Sequence, residues 1–379
     1  MYRTRKALIE GFGEILKGQL RQYAQDQVTS NNWLKTQIIE LDQHGEDDPV
    51  KYLIDKVDTL LTKHSLEKLD EPDFYGFTSD SDPDKSDLYI DASDKRFVRI
   101  YTFLGSNEFD HFINNLTANE RIDQVWLPQI YMNDLFGIGN FRGYGGKFNN
   151  KYFIDGTPKK DIEENPDFVS LSFRSWGNSR RILDLINKDP DAKQEFALTS
   201  ARTKIYFGDY DDQVIDDIGF SGKITSLGNS FVPHLDMVNK ITESYRDIIV
   251  KRIEEPFAIS YKNNSISGSK VVFILPKPLK NLRSFVNRLV SGRQPFKLWG
   301  VASKIEDDFA RIEAVDLHVS SRLSINIYPK KMEVYFEEGS CGNTILRLLT
   351  LLQQNYNSTV SIVDRNGELV ELGMMDGKL

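Results

Sequence analysis

The chain has 379 residues, 40% of them hydrophobic and 11% aromatic, with a formal net charge of −8. That length is enough for roughly two or three domains with sizeable cores, and the acidic balance excludes a surface that is basic throughout. The single cysteine, Cys341, excludes a disulfide framework and any multi-cysteine zinc site.

No stretch reaches the ~20 apolar residues that a membrane-spanning helix needs. No apolar run follows the basic residues Arg3, Arg5 and Lys6, so a cytoplasmic protein without membrane association is expected. Residues 1–65 read as a helical module. Leu8, Phe12, Ile15, Leu16, Leu20 and Tyr23 recur near every 3.6 residues and predict an amphipathic helix. A second helix is predicted on Trp33, Leu34, Ile38 and Leu41. A third is predicted from Pro49 through Leu53, Ile54, Val57, Leu60 and Leu61.

Residues 66–94 read as an acidic linker or loop. Between 70 and 94 stand nine acids and one base, Lys85, and 78–87 is rich in turn formers. Asp80, Asp82, Asp84 and Asp91 have the spacing of a calcium loop, but Lys85 occupies the position that needs glycine, so calcium is not expected. Residues 95–255 read as a mixed α/β domain. Its strands are predicted at 96–104, 168–173 and 205–207, with helices at 109–116, from about Asn178, and from Ser230 to Pro256. Residues 137–153 are glycine-rich and read as an irregular loop.

Residues 256–379 read as an antiparallel α+β domain. The hydrophobic pattern runs strand, helix, four strands, helix, with strands at 271–275, around Leu298, at 312–319, 323–328 and 332–336. This β-α-β-β-β-β-α order predicts one antiparallel sheet with both helices on one face and the other face open. The fold class expected for the whole chain is α+β.

The 137–153 loop holds the first candidate site. Gly137 and Gly139 begin a dinucleotide fingerprint, but Arg142 stands where its third glycine belongs. What remains is composition: five bases and one acid between 139 and 160, interleaved with aromatics. Arg142, Tyr144, Lys147, Phe148 and Lys151 are therefore candidates for stacking on bases and pairing with phosphates. Arg174, Trp176, Arg180 and Arg181 join them, because two arginines opening a helix sit against its dipole unless an anion is present. Gly219, Gly222 and Lys223 hint at a P-loop, but the spacing is too short and Ile224 replaces the required hydroxyl. The Gly-Asn-Ser/Thr triplets at 177, 228 and 342 read as helix N-caps.

For catalysis, Asp316 and His318 alternate onto one strand face, read as the open one, and Cys341 precedes the last helix. A Cys341–His318 nucleophile pair oriented by Asp316 is one candidate; a buried, inert thiol is the plainer expectation. Asp209, Asp211 and Asp212, with Asp216 and Asp217, are candidate metal ligands of a nuclease. No cofactor is expected. The reading reached is a non-catalytic subunit of a multi-protein assembly. It would contact other protein subunits, and DNA or RNA through the basic glycine/aromatic loop. The alternative is a hydrolase, cysteine-dependent or a metal-dependent nuclease.

Overall fold

The structure is a computed structural model. It describes residues 1–374 except 25–31, 45–47, 80–81, 150–167, 175–177, 209–211, 263 and 280; of 24, 79, 82–87, 148–149 and 168–169 it describes the backbone only.

The first helix forms where its period predicts, as α1 (Arg5–Ala24). The second does not. Leu34–Leu41 is strand β1, buried along its whole length. Leu34, Ile38 and Leu41 mimic helical spacing, but both faces of this segment are covered, so its apolar residues obey no single period. The third helix is α2 (Pro49–Leu60), opened by Asp48 accepting from the Val50 amide.

The expected acidic loop is a meander of strands. β2 (His64–Lys68), β3 (Phe74–Ser79) and β4 (Asp82–Asp91) pair antiparallel and lead to β5 (Phe97–Thr102). Phe74, Phe77, Leu88 and Ile90 supply buried residues that outweigh the turn-forming acids between them. Then come α3 (Ser106–Leu116), β6 (Ile122–Gln124) and α4 (Gln129–Asp134). The glycine-rich stretch is not irregular: it is β7 (Asn140–Asn149), held between β8 (Phe168–Arg174) and β9 (Ala197–Phe207), with α5 (Ser179–Lys188) and α6 (Pro190–Gln194) intervening in the chain. β10 (Asp212–Gly219) and β11 (Lys223–Gly228) follow.

Among the described residues these make one 11-stranded sheet, in the order β2-β3-β4-β5-β1-β11-β10-β9-β7-β8, with β6 alongside β1. The boundary expected near 65 thus falls within β2, and the one near 94 between β4 and β5, of a single sheet. Helix α1 packs Leu8, Phe12 and Leu16 on Leu34, Tyr89 and Tyr101 of one face. Helices α2 and α3 pack on Ile39, Leu41, Ile90 and Ile100 of the other.

Helix α7 (Val232–Asp247) runs on through a π-helical stretch, Ile248–Glu254, into α8 (Glu255–Phe257). Beyond the hairpin β12 (Ser260–Lys262) and β13 (Ser265–Ser267), the expected order is present. It reads β14 (Val271–Ile274), α9 (Leu282–Leu289), β15 (Leu298–Ile305), β16 (Ala310–Asp316), β17 (Arg322–Tyr328), β18 (Lys331–Phe336), α10 (Asn343–Asn355), with a short β19 (Ser361–Val363) added. The second sheet, β15-β16-β17-β18-β14-β19, is antiparallel. Ile312, Ile325, Ile327 and Val334 face α9 and α10, while Trp299, Val301, Arg311 and Glu313 on the other face are exposed. Helix α10 lies between the two sheets and is buried from Asn343 to Gln354.

Candidate functional site

Where α10 meets the large sheet, charge collects in the core. Glu40 on β1 stands directly opposite Asp123 on β6, a pairing of like charges that is unfavourable unless cations intervene. Arg347, from the enclosed face of α10, forks between Asp123 and Asp316, and its Nε donates to the Phe296 carbonyl at 3.0 Å. Lys297 reaches the Ile122 carbonyl at 3.1 Å and lies 3.8 Å from Asp123. Arg96, just before β5, pairs with Glu40 at 3.2 Å and Glu254 at 2.6 Å. The π-helical stretch re-aims Glu254 so that it also accepts from the Gly342 amide at 2.9 Å, at the start of α10.

His318 and Cys341 complete the cluster. Cys341 Sγ donates to Glu40 Oε1 at 3.1 Å. His318 Nε2 lies 3.3 Å from Glu40 Oε2, and Nδ1 lies 4.0 Å from Asp123, yet neither ring nitrogen makes a hydrogen bond, nor does Glu40 Oε2. Glu40, His318 and Cys341 present three different donor atoms within 4.8 Å of one another. They are the described residues best placed to hold a metal.

Burial governs the ionisation here. It would raise the Asp123 carboxyl, but Lys297 and Arg347, with His318, overcome it and hold the group down at about 2. Burial pushes the Cys341 thiol well up, Glu40 adds to this, and Arg96 opposes it. Burial also lowers Lys297 against the pull of Asp123.

The expected catalytic arrangement is therefore corrected. Asp316 and His318 do share a face of the chain, but it is the inner one, sealed at 0% exposure; Leu317 points outward. Asp316 binds Arg347 and Thr344, and meets His318 through that residue's backbone amide rather than its ring. Cys341 is 3% exposed. A second relay lies in the large sheet: Thr36 Oγ1 is 2.7 Å from His234 Nε2, and Asp216 is 3.1 Å from Nδ1. All three are fully buried, so no substrate reaches that hydroxyl either.

The expected basic corner is partly assembled. Gly143 on β7 sits in register between Arg174 on β8 and Arg202 on β9, so these two arginines flank a position with no side chain. Arg174, Arg180 and Arg181 are exposed and Arg142 half-buried; among the described residues none of them, nor Arg202, has a carboxylate at ion-pair distance. Arg202 lies under Trp33, 5.8 Å from the ring centroid. Its guanidinium is depressed by burial, Asp217 opposes this, and nearby Arg174 adds to it. Lys147 is exposed. Tyr144 is no stacking platform: it is 1% exposed and packs on Phe173 and Phe196. Lys151, Trp176, Asp209 and Asp211, and the side chain of Phe148, lie outside the described residues. Asp212 opens β10, and its neighbours Asp216 and Asp217 face opposite sides of the sheet, so these described acids do not converge.

Compared with known proteins, residues 2–370 match the model of a family described as MJECL33-like protein. The chain belongs to this family. Within the MJECL33-like family it is similar to the uncharacterized protein MJECL33 of Methanocaldococcus jannaschii, 29% identical over 381 residues, covering 89% of this chain and 88% of that protein.

Sequence reasoning missed Glu40, Arg96, Asp123, Lys297, Arg347 and Arg202. One signal was available: Arg347 interrupts a leucine-rich helix, and a charge in an otherwise apolar run needs a buried partner. Of the Gly-Asn-Ser/Thr triplets, only the second places a side chain on a helix-opening amide: Ser230 Oγ accepts from the Val232 amide at 3.4 Å, and the asparagines do not cap. Asn343 donates to Asp123 and the Gln124 carbonyl, Asn229 accepts from the Gln213 amide, and Asn178 makes no capping bond.

Proposed function

We propose that this protein is a non-catalytic binding subunit that works within a multi-protein assembly and takes a nucleic-acid strand along the arginine-bearing end of its large sheet. The reading rests on one observation. Arg142, Arg174, Arg180 and Arg181 stand beside Gly143 and at the start of α5 without carboxylate partners among the described residues, whereas Arg3, Arg5, Arg96 and Arg347 are all ion-paired. Guanidiniums near a sheet edge that have no carboxylate partner among the described residues suit phosphate oxygens, which they meet bidentately. The exposed Trp299 and Val301 on edge strand β15 suit a protein partner. The hydrolase alternative has less support, because Cys341, His318 and Asp316 are sealed, with Cys341 held by Glu40 and Asp316 by Arg347.

Fluorescence anisotropy with a labelled single-stranded oligonucleotide tests the nucleic-acid part. Binding is expected to fall steeply with added salt, and R142E/R180E/R181E is expected to weaken it at least about tenfold at low salt. Equal binding by the variant would refute the assignment. Native mass spectrometry of untagged protein from its own cells tests the assembly; a bare monomer would remove that part.

A further inference from the structure

The buried charges at the junction do not balance. Three carboxylates, Glu40, Asp123 and Asp316, face two cations, Lys297 and Arg347, all of them at least nine-tenths buried, while Arg96 and Glu254 offset each other at the margin. Uncompensated charge in such a place costs several kcal/mol per ion. The imbalance sits where His318 and Glu40 face one another. His318 Nε2 and Glu40 Oε2 stand 3.3 Å apart, and neither atom has a hydrogen-bond partner, which buried polar atoms rarely lack.

We propose that Glu40, His318 and Cys341 form a structural binding site for a divalent transition-metal ion, zinc being the best match. The donor set is thiolate sulfur, imidazole nitrogen and carboxylate oxygen, which zinc accepts together and calcium or magnesium does not. The spacing fits at the nitrogen: two nitrogen or oxygen donors about 2.1 Å from a tetrahedral ion stand about 3.4 Å apart, against 3.3 Å for Nε2 to Oε2; sulfur binds farther out, at about 2.3 Å, so Sγ, 3.1 Å from Oε1, moves outward on binding. One Glu40 oxygen with Sγ and Nε2 provides three protein donors, and a water molecule takes the fourth tetrahedral position. On binding, the Sγ–H proton leaves to solvent and the sulfur binds as thiolate, with Arg96 NH2 at 3.7 Å to support its charge. One dication added and one thiol proton lost cancel the single excess negative charge. The ion would tie β1 to the segments before β17 and α10, linking residues 301 positions apart. With all three ligands buried, it enters during folding rather than afterwards.

Elemental analysis of protein purified without chelators is expected to give about one zinc per chain. Unfolding in denaturant with chelator, then refolding with Co²⁺, is expected to produce the thiolate-to-cobalt charge-transfer band and tetrahedral cobalt absorption. In H318Q and C341A, metal content is expected to drop at least about tenfold. Wild-type protein that refolds without metal and gives no thiolate band with Co²⁺ overturns the site; so does full metal retention in C341A. If the variants do not fold, the wild-type cobalt spectrum decides.

Discussion

At the scale of single residues, Arg347 is the side chain on which the junction turns. It satisfies two buried carboxylates and a carbonyl from one helix position. R347M keeps the bulk but leaves Asp123 and Asp316 without their main partner, and is expected to cost about 3–5 kcal/mol in urea unfolding. The pH dependence follows from Asp123. Its carboxyl is held at about 2 in the folded protein, against about 3.9 in an unfolded chain. The depressed group therefore contributes stability above about pH 4 that is lost as the pH falls toward 2. In R347M the folded-state value rises, so the acid-unfolding midpoint is expected at higher pH; an unmoved midpoint would place the acid sensitivity elsewhere. Little of this cluster could be read in the sequence. Its members come from positions 40, 96, 123, 297, 316, 318, 341 and 347, and only the fold brings them together. The pairing of Asp316 with His318 on one face was legible from strand alternation, but which face was inner was not, because Val315 and Leu317 look like the better core residues.

At the scale of elements, β7 shows why glycine-rich sequence need not mean loop. A Cβ on Gly143 would stand 2.0 Å from the Phe173 carbonyl oxygen, at a φ of +153°. Backbone cannot yield there as a side-chain tip can. G143A is expected to destabilise the protein by about 1–3 kcal/mol and to unpair β7 from β8, seen as faster amide exchange across that ladder. Unchanged exchange would mean the strands tolerate the methyl. Strands with one wet and one dry face, β16 and β17 above all, were legible by alternation. β1 was not, because covering both faces erases the period, and β4 was not, because its acids resemble a linker.

For the whole molecule, the decisive feature is that both sheets share one hydrophobic core. Ile38, Val214 and Ile224 of the large sheet belong to the same continuous cluster as Ile312, Ile325 and Val334 of the small one, joined through Leu346 and Leu349 of α10. Calorimetry is expected to show a single unfolding transition; two well-separated transitions would contradict a shared core. The α+β class and the C-terminal order were legible because each element there keeps its own period. The merger was not, since periodicity describes local elements and not which of them adjoin.

The enclosure of α10 has a consequence for how the protein is made. The helix that fills the space between the sheets follows every strand but β19 in the chain, so those strands are made before it and must wait with their inner surfaces uncovered. A transcript ending before residue 343 would release a polypeptide that cannot close, and the cell would read it as a substrate for proteases rather than as a shorter version of the same protein.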